Sequence, residues 1–301
     1  MVALSNAAYS PIPAREPDSA PASFCNFPPP ENEMDGTNAL GEAMSDLNFS
    51  CTQCGKCCHN LRLPLTRPEA IAWLQKGGSV DVLCEAIPWV TEPATSDAPA
   101  THKRQRSFPA WSGELPIRVI VVLAATFEGA CPHLRPDMRC GNYDSRPHVC
   151  RIYPAEVNPF LAVSPDRKQC PPEAWMSPTP FLRANRVVDA HIQLHMSLLR
   201  HGDQLDLAIK AWICKALDIQ MASLSNEGFM AHSPPPESLL ALLQQTPPDA
   251  ADKAPQTHWL MVTNQTATLD ALGLVGAKPL SAKAFTEGPS RYLGFRPDTH
   301  A

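Results

Sequence analysis

The sequence predicts an α+β fold, mainly helical, with few short strands and a loop-rich core organised around cysteines. Three observations carry that expectation. Proline accounts for 33 of the 301 residues, about twice the average usage, which favours chain reversals over long uninterrupted elements. Cysteine accounts for 11 residues, four of them inside "CTQCGKCC" at 51–58. Helical patterns recur along the chain, whereas only "IRVIVVLAATF" and "HWLMVTN" read as strands.

Taken in order, residues 1–45 are rich in Pro, Ala, Ser and Asn and read as a disordered arm, with Cys25 an incidental thiol within it. After the thiol run, Thr66 caps a short amphipathic helix, with Pro68 and Glu69 in its first turn and Gly77-Gly78 closing it. Residues 80–87 read as a second, weaker helix with Cys84 as a buried structural thiol. Residues 92–112 read as a long loop. The β-branched run at 117–127 is the best strand and leads into Cys131.

From 131 to 172 Pro, Cys, Arg and Gly alternate without a period, so loops are expected. "FLRANRVVDAHIQLHMSLLRHG" (181–202) predicts a helix ending at Gly202, and a second follows over 203–219 with Asp203 as its cap. A short helix (237–245), a strand (258–264), the helix-like "ATLDALGLV" and a ragged tail complete the chain. Three regions result: the arm 1–45, a cysteine-cluster domain with flanking helices over 46–230, and a C-terminal extension over 231–301, for which the sequence leaves open whether it is a separate small lobe.

Hydrophobic residues at 44% suit a packed globular chain, and the net charge is -5. The densest basic cluster, "HKRQR" at 102–106, lies in a polar loop and reads as a solvated turn, so no nucleic-acid partner is expected. The longest apolar run is far too short for a membrane helix. The first residues lack a basic start followed by an apolar run, so no secretory signal is expected. A cytoplasmic protein with reduced thiols follows, and the odd cysteine count argues against a disulfide framework.

The cysteines therefore point to metal. Cys51, Cys54 and Cys57 have a C-x2-C-x2-C spacing with Cys58 appended. Thiolates two residues apart in a tight turn converge on one metal, and Gly55 suits the positive φ such a turn needs. Downstream lie Cys131, Cys140, Cys150 and Cys170, which makes a dense set and a dispersed one. The spacing opens like a bacterial ferredoxin run, but its fourth position falls on Leu61. Structural zinc wants two close pairs, and the downstream set is too widely spaced for a second. Adjacent Cys57 and Cys58 suit two metals or a polynuclear centre, and spacing leaves the metal open.

"CTQCGKCC", "CPHL" and "CGNYDSRPHVCRIYP" together resemble the YkgJ-type cysteine-cluster family, a zinc- or iron-chelating domain, over about residues 51–170. Asn142, Asp144-Ser145 and His133 depart from its pattern. The resemblance implies a metal-chelating role for Cys51, Cys54, Cys57, Cys58, Cys131, Cys140 and Cys150, with Cys170 as a further ligand. Flagellin lysine-N-methylases carry a related cysteine cluster, and that likeness implies the alternative of an iron–sulfur, S-adenosylmethionine-dependent methylase.

Around the cysteines, Arg146 and Arg151 are candidates to offset the negative charge of a thiolate-ligated cofactor. Tyr143 and Tyr153 read as shielding residues. His59, His133 and His148 read as neighbours of the ligands, with imidazole able to replace a missing thiolate. His191 and His195, spaced i, i+4 on a helix, lack the Glu of a zincin pair and read as a helix-face pair. No phosphate loop, nucleophile elbow or dinucleotide fingerprint accompanies them. The expectation is a metal-binding protein holding an iron–sulfur cluster (4Fe–4S favoured) or zinc/iron ions. Metal ions are its expected partners, and the reading leaves room for a protein partner.

Overall fold

The computed structural model describes residues 46–247 and 256–295; the arm expected at 1–45, with Cys25, lies outside the described residues. The strands are β1 (Leu47–Asn48), β2 (Arg62–Leu65), β3 (Ser79–Pro88), β4 (Ser107–Ser112), β5 (Leu115–Thr126), β6 (Pro180–Arg183), β7 (Arg186–Val187), β8 (Met221–Leu224), β9 (Gly228–His232), β10 (Gln256–Thr257), β11 (Leu260–Thr263), β12 (Pro279–Ser281) and β13 (Ser290–Gly294). The helices are α1 (Arg67–Gln75), α2 (Ala98–Gln105), α3 (His148–Ile152), α4 (Pro172–Trp175), α5 (Ala190–Leu205), α6 (Leu207–Ala216), α7 (Pro236–Leu243) and α8 (Thr266–Leu274).

The expectation of a mainly helical chain with few strands is corrected by this architecture. Ten of the described strands form one mixed sheet, in the order β10-β4-β5-β3-β8-β11-β12 with β2, β9 and β13 attached, and β1, β6 and β7 form a second small sheet. The long strand β5 is the spine. One edge pairs with β3 along Ser79–Pro88; the other is shared by β4 over 115–120 and β2 over 123–126. Strands from both sides of residue 230 belong to this sheet.

The misread segment is "SVDVLCEAIP". Val80 to Cys84 and Ala86 are all buried, because β3 lies inside the sheet with side chains covered on both faces. Such a strand loses the alternation that marks a half-exposed one and resembles a buried helix in sequence. Residues 98–112, expected as loop, hold α2, capped by Asp97 through the Ala100 amide at 2.9 Å, and then β4. Residues 181–187, expected as helix, belong to a hairpin that starts at Pro180. Ala184 and Asn185, with φ of 49° and 59°, form its two-residue turn, the geometry that favours a tight twisted hairpin.

α1 starts where its capping signals place it, whereas the boundary between the next two long helices falls beyond the Gly202 and Asp203 that the sequence suggested. In α1 the Thr66 amide and hydroxyl both donate to Glu69 Oε2, at 2.9 and 2.8 Å. α5 is capped by Asp189 and runs on through Gly202 to Leu205. Asp203 is thus inside α5, paired with Lys210 of α6 at 2.9 Å, and Asp206 takes the cap position of α6. The main core packs α1, α6 and α7 on one face of the sheet, around Trp73, Leu123, Ile213, Leu243 and Trp259. A separate cluster under the small sheet holds Phe49, Ile152, Phe181 and Leu199.

Candidate metal centre

The sheet register brings the two cysteine blocks together. β2 follows the thiol run and β5 precedes Cys131, and Arg62 pairs with Thr126 in their antiparallel ladder. Continued outward, the ladder reaches a bridge between His59 and Ala130, and the Cys131 amide donates to the Cys58 carbonyl over 2.7 Å. Residues 131–141 then double back. A bridge joins Leu134 to Cys140 and the Gly141 amide donates to the His133 carbonyl, so Cys140 returns to the neighbourhood of Cys131.

The thiol run is itself a tight turn. The Cys58 amide donates to the Gly55 carbonyl at 2.9 Å, and the Gln53 amide lies 3.4 Å from Cys51 Sγ. Gly55 has φ +69°, as expected; a Cβ there would meet the Met138 carbonyl oxygen at 2.6 Å. The turn is therefore pressed onto the loop that carries Cys140. Its other end is tied elsewhere: the Ser50 amide donates to Ala174 and Phe49 to Thr179, which sets Cys51 beside the segment following Cys170.

Cys150 is placed by α3. The His148 amide at its first turn donates to Glu69 Oε1 at 2.6 Å, while the other oxygen of Glu69 caps α1. One carboxylate thus fixes two helix starts and, through α3, the position of Cys150. Sequence reasoning assigned Glu69 a role in α1 alone, because its link to His148 spans 79 residues.

All eight predicted cysteines line one cavity of about 100 Å³. By that measure a single water needs only about 10–15 Å³, so the space suits a polyatomic group. Phe49, Leu61, Leu63, Trp73, Val149 and Ala174 supply apolar walls. Cys51 is exposed and the other seven are half-buried, and no disulfide links the described cysteines.

The thiols differ in acidity. Cys58 is lowered to about 7, chiefly by the hydrogen bond to Cys57, with the Arg146 charge adding to it against the effect of burial. Burial raises Cys131, and it raises Cys170 to about 11 despite a hydrogen bond with Tyr153. Cys131 feels the charges of Cys58 and Cys140, whereas Cys170 feels those of Cys51 and Cys54. The dense run is therefore divided, one end facing Cys131 and Cys140, the other facing Cys170.

Residues 50–171 match the family model CxxCxxCC, described as "Putative zinc- or iron-chelating domain". This segment, about two fifths of the chain, is similar to the CxxCxxCC domain. No curated protein and no solved structure matches the chain. The CxxCxxCC domain thus begins one residue before the thiol run and ends one residue after Cys170, so it takes in every cysteine of the cavity. The function class that this match supports is metal binding, by chelation of zinc or iron.

The donor set of the CxxCxxCC domain fits such metals: thiolates select zinc and iron–sulfur centres over hard cations. The fit is one of donor chemistry and of shared lining. Among the described residues no three His, Cys, Asp or Glu side chains already converge on one ion; the thiols encircle a space instead.

The two arginines separate. Arg146 lines the cavity, its guanidinium 3.5 Å over the Tyr143 ring and its Nε donating to the Tyr143 carbonyl at 2.9 Å. Arg151 is not in the lining; it donates to the carbonyls of Arg146 and Asp144 and braces the turn that carries Arg146. Tyr143 and Tyr153 both line the cavity, and Tyr153 OH accepts from the Gln169 amide at 2.9 Å.

Of the histidines, His133 lines the cavity with its ring edge-on to Trp73. His148, His191 and His195 come together away from it. His148 Nδ1 is 2.7 Å from His195 Nδ1, and His195 Nε2 is 3.2 Å from His191 Nε2. The i, i+4 spacing foretold the second contact; the first depends on α3 packing against α5. Among the described residues no helix is long and apolar enough to cross a membrane.

Proposed function

We propose that the CxxCxxCC domain holds a polynuclear iron–sulfur-type centre, with Cys51, Cys54, Cys57, Cys58, Cys131, Cys140, Cys150 and Cys170 as its ligand pool. The observation that carries this reading is that all eight thiols line a single cavity. One tetrahedral zinc uses four thiolates, and half of the pool then has no role. A centre of several metals accounts for the whole set and for the adjacent pair Cys57-Cys58.

The chain's own residues have distinct tasks in this reading. Cys58, lowered to about 7, presents a thiolate near neutral pH. Arg146 offsets the charge of the ligated centre. The apolar walls keep water away, which together with amide–sulfur hydrogen bonds tunes a cluster's potential. When bound, the group supplies electron-transfer or structural capacity. A reducing cytoplasm suits a pool of thiols not joined by disulfides.

Anaerobic purification followed by iron, zinc and acid-labile sulfide analysis tests the proposal. Iron and sulfide in comparable amounts, with visible charge-transfer absorption, are expected. Zinc without sulfide overturns the iron–sulfur reading and leaves metal binding standing. A folded, metal-free protein with eight titratable cavity thiols overturns both.

A further inference from the structure

A second cavity, of about 290 Å³, shares no lining residue with the first. Its walls come from the 156–163 loop, the β6–β7 hairpin and α5. Leu182, Val187 and Met196 give it apolar surface, and Arg186 and Arg200 give it positive charge. This is the usual composition of a ligand pocket, mostly apolar walls with a few charged groups that fix orientation.

Arg200 is the unusual member. Its Nε is buried and has no hydrogen-bond partner. It takes part in none of the ion pairs among the described residues. The neighbouring carboxylates are engaged: Glu156, also in the cavity wall, pairs with Lys168, and Asp203 pairs with Lys210 and Arg106. His102, close enough to feel the Arg200 charge, is held neutral by burial with its pKa lowered to about 4. Burial alone lowers the Arg200 guanidinium, with no anion opposing it. A partly desolvated guanidinium with an unmatched buried N–H is costly, and native structures rarely leave one without a partner.

We infer that this cavity binds a small amphiphilic anion, its carboxylate or phosphate head on Arg200 and its aliphatic body against Leu182, Val187 and Met196. The planar guanidinium fork matches either head group. Arg186, exposed at the hairpin, adds attraction for an incoming anion. The site is independent of the metal centre, since the lining sets do not overlap.

Calorimetric titration of the full chain with hexanoate, hexyl phosphate, hexanol and inorganic phosphate tests it. Saturable binding of hexanoate or hexyl phosphate is expected, and which of them binds identifies the head group. Hexanol and inorganic phosphate, each lacking one half of the ligand, should bind at least about tenfold more weakly. Arg200→Gln should lose about tenfold in affinity, the scale of one charge-assisted hydrogen bond. Val187→Glu, which sets a carboxylate at the cavity, should lose at least as much, and it gives the answer if Arg200→Gln does not fold. Absence of saturation by either amphiphile overturns the inference. So does equal binding of hexanol or inorganic phosphate, or wild-type affinity in a folded variant.

Discussion

The amide of Cys131 donates to the carbonyl of Cys58 over 2.7 Å, although the two lie 73 positions apart in the chain. The bond extends the β2–β5 ladder past its end, so the backbone of the sheet joins the two cysteine blocks. Cys58 and Cys131 should therefore act as a coupled pair, while Cys58 and Cys170 face different ends of the thiol run. In a double-mutant cycle of Ser substitutions read by chelator competition, Cys58 and Cys131 should couple by about 0.5–3 kcal/mol. Cys58 and Cys170, linked only through the shared centre, should couple more weakly. Equal coupling in both pairs would sink the idea of a divided run.

Glu69 has a second task that its position in α1 conceals. Its carboxylate accepts from the Thr66 amide and hydroxyl and from the His148 amide. Glu69→Ala removes all three hydrogen bonds and should cost about 1–3 kcal/mol in urea unfolding. Because α3 carries Cys150, metal affinity should also fall by about 10–100-fold, the scale of lost outer support at metal sites. Unchanged affinity in a folded variant would show that α3 does not depend on this carboxylate.

Gly55→Ala tests the turn. The residue has φ +69° and its new methyl would approach the Met138 carbonyl oxygen to 2.6 Å, a rigid neighbour. The left-handed conformation alone costs an L-residue about 1–2 kcal/mol, and the clash adds to it. Unfolding curves should show at least that loss, with weaker metal retention during gel filtration. A variant as stable as the parent would mean that the run can turn another way.

His102 sets an acid limit on stability. Burial comes first in lowering its pKa from the usual 6.5 to about 4, followed by the Arg106 charge; Arg200 and Lys103 add to it and Asp203 opposes it. The unfolded chain thus takes up a proton before the folded one does. The stabilisation is fully present above pH 6.5 and is lost as the pH falls toward about 4. Discounted for the ring's partial exposure, the loss is about 1–2 kcal/mol. His102→Phe should flatten this part of the stability profile measured by urea midpoints between those limits; an unchanged slope would assign it to other groups.

The fold was only partly legible. Where a boundary has its own chemistry, the expectation and the structure agree: Thr66 and Glu69 start α1, Gly77-Gly78 follow its end, and the β-branched run makes β5. Where burial on both faces removed the alternation, as in β3, a strand read as a helix. The Ala184-Asn185 turn was hidden inside an otherwise helical pattern, since Ala is an uncommon residue at positive φ.

For the centre, the sequence alone determined the kind of chemistry: eight cysteines in two blocks, soft donors for zinc or iron, and a glycine where the turn needs one. Only the tertiary structure decided which thiols are neighbours. That information lies in the β2–β5 register, in the loop that folds Cys140 back, and in the Glu69 carboxylate beneath α3. Ligand type is a property of side chains and is written in their identities. Ligand grouping is a property of long-range backbone pairing, which burial and register set across the whole sheet.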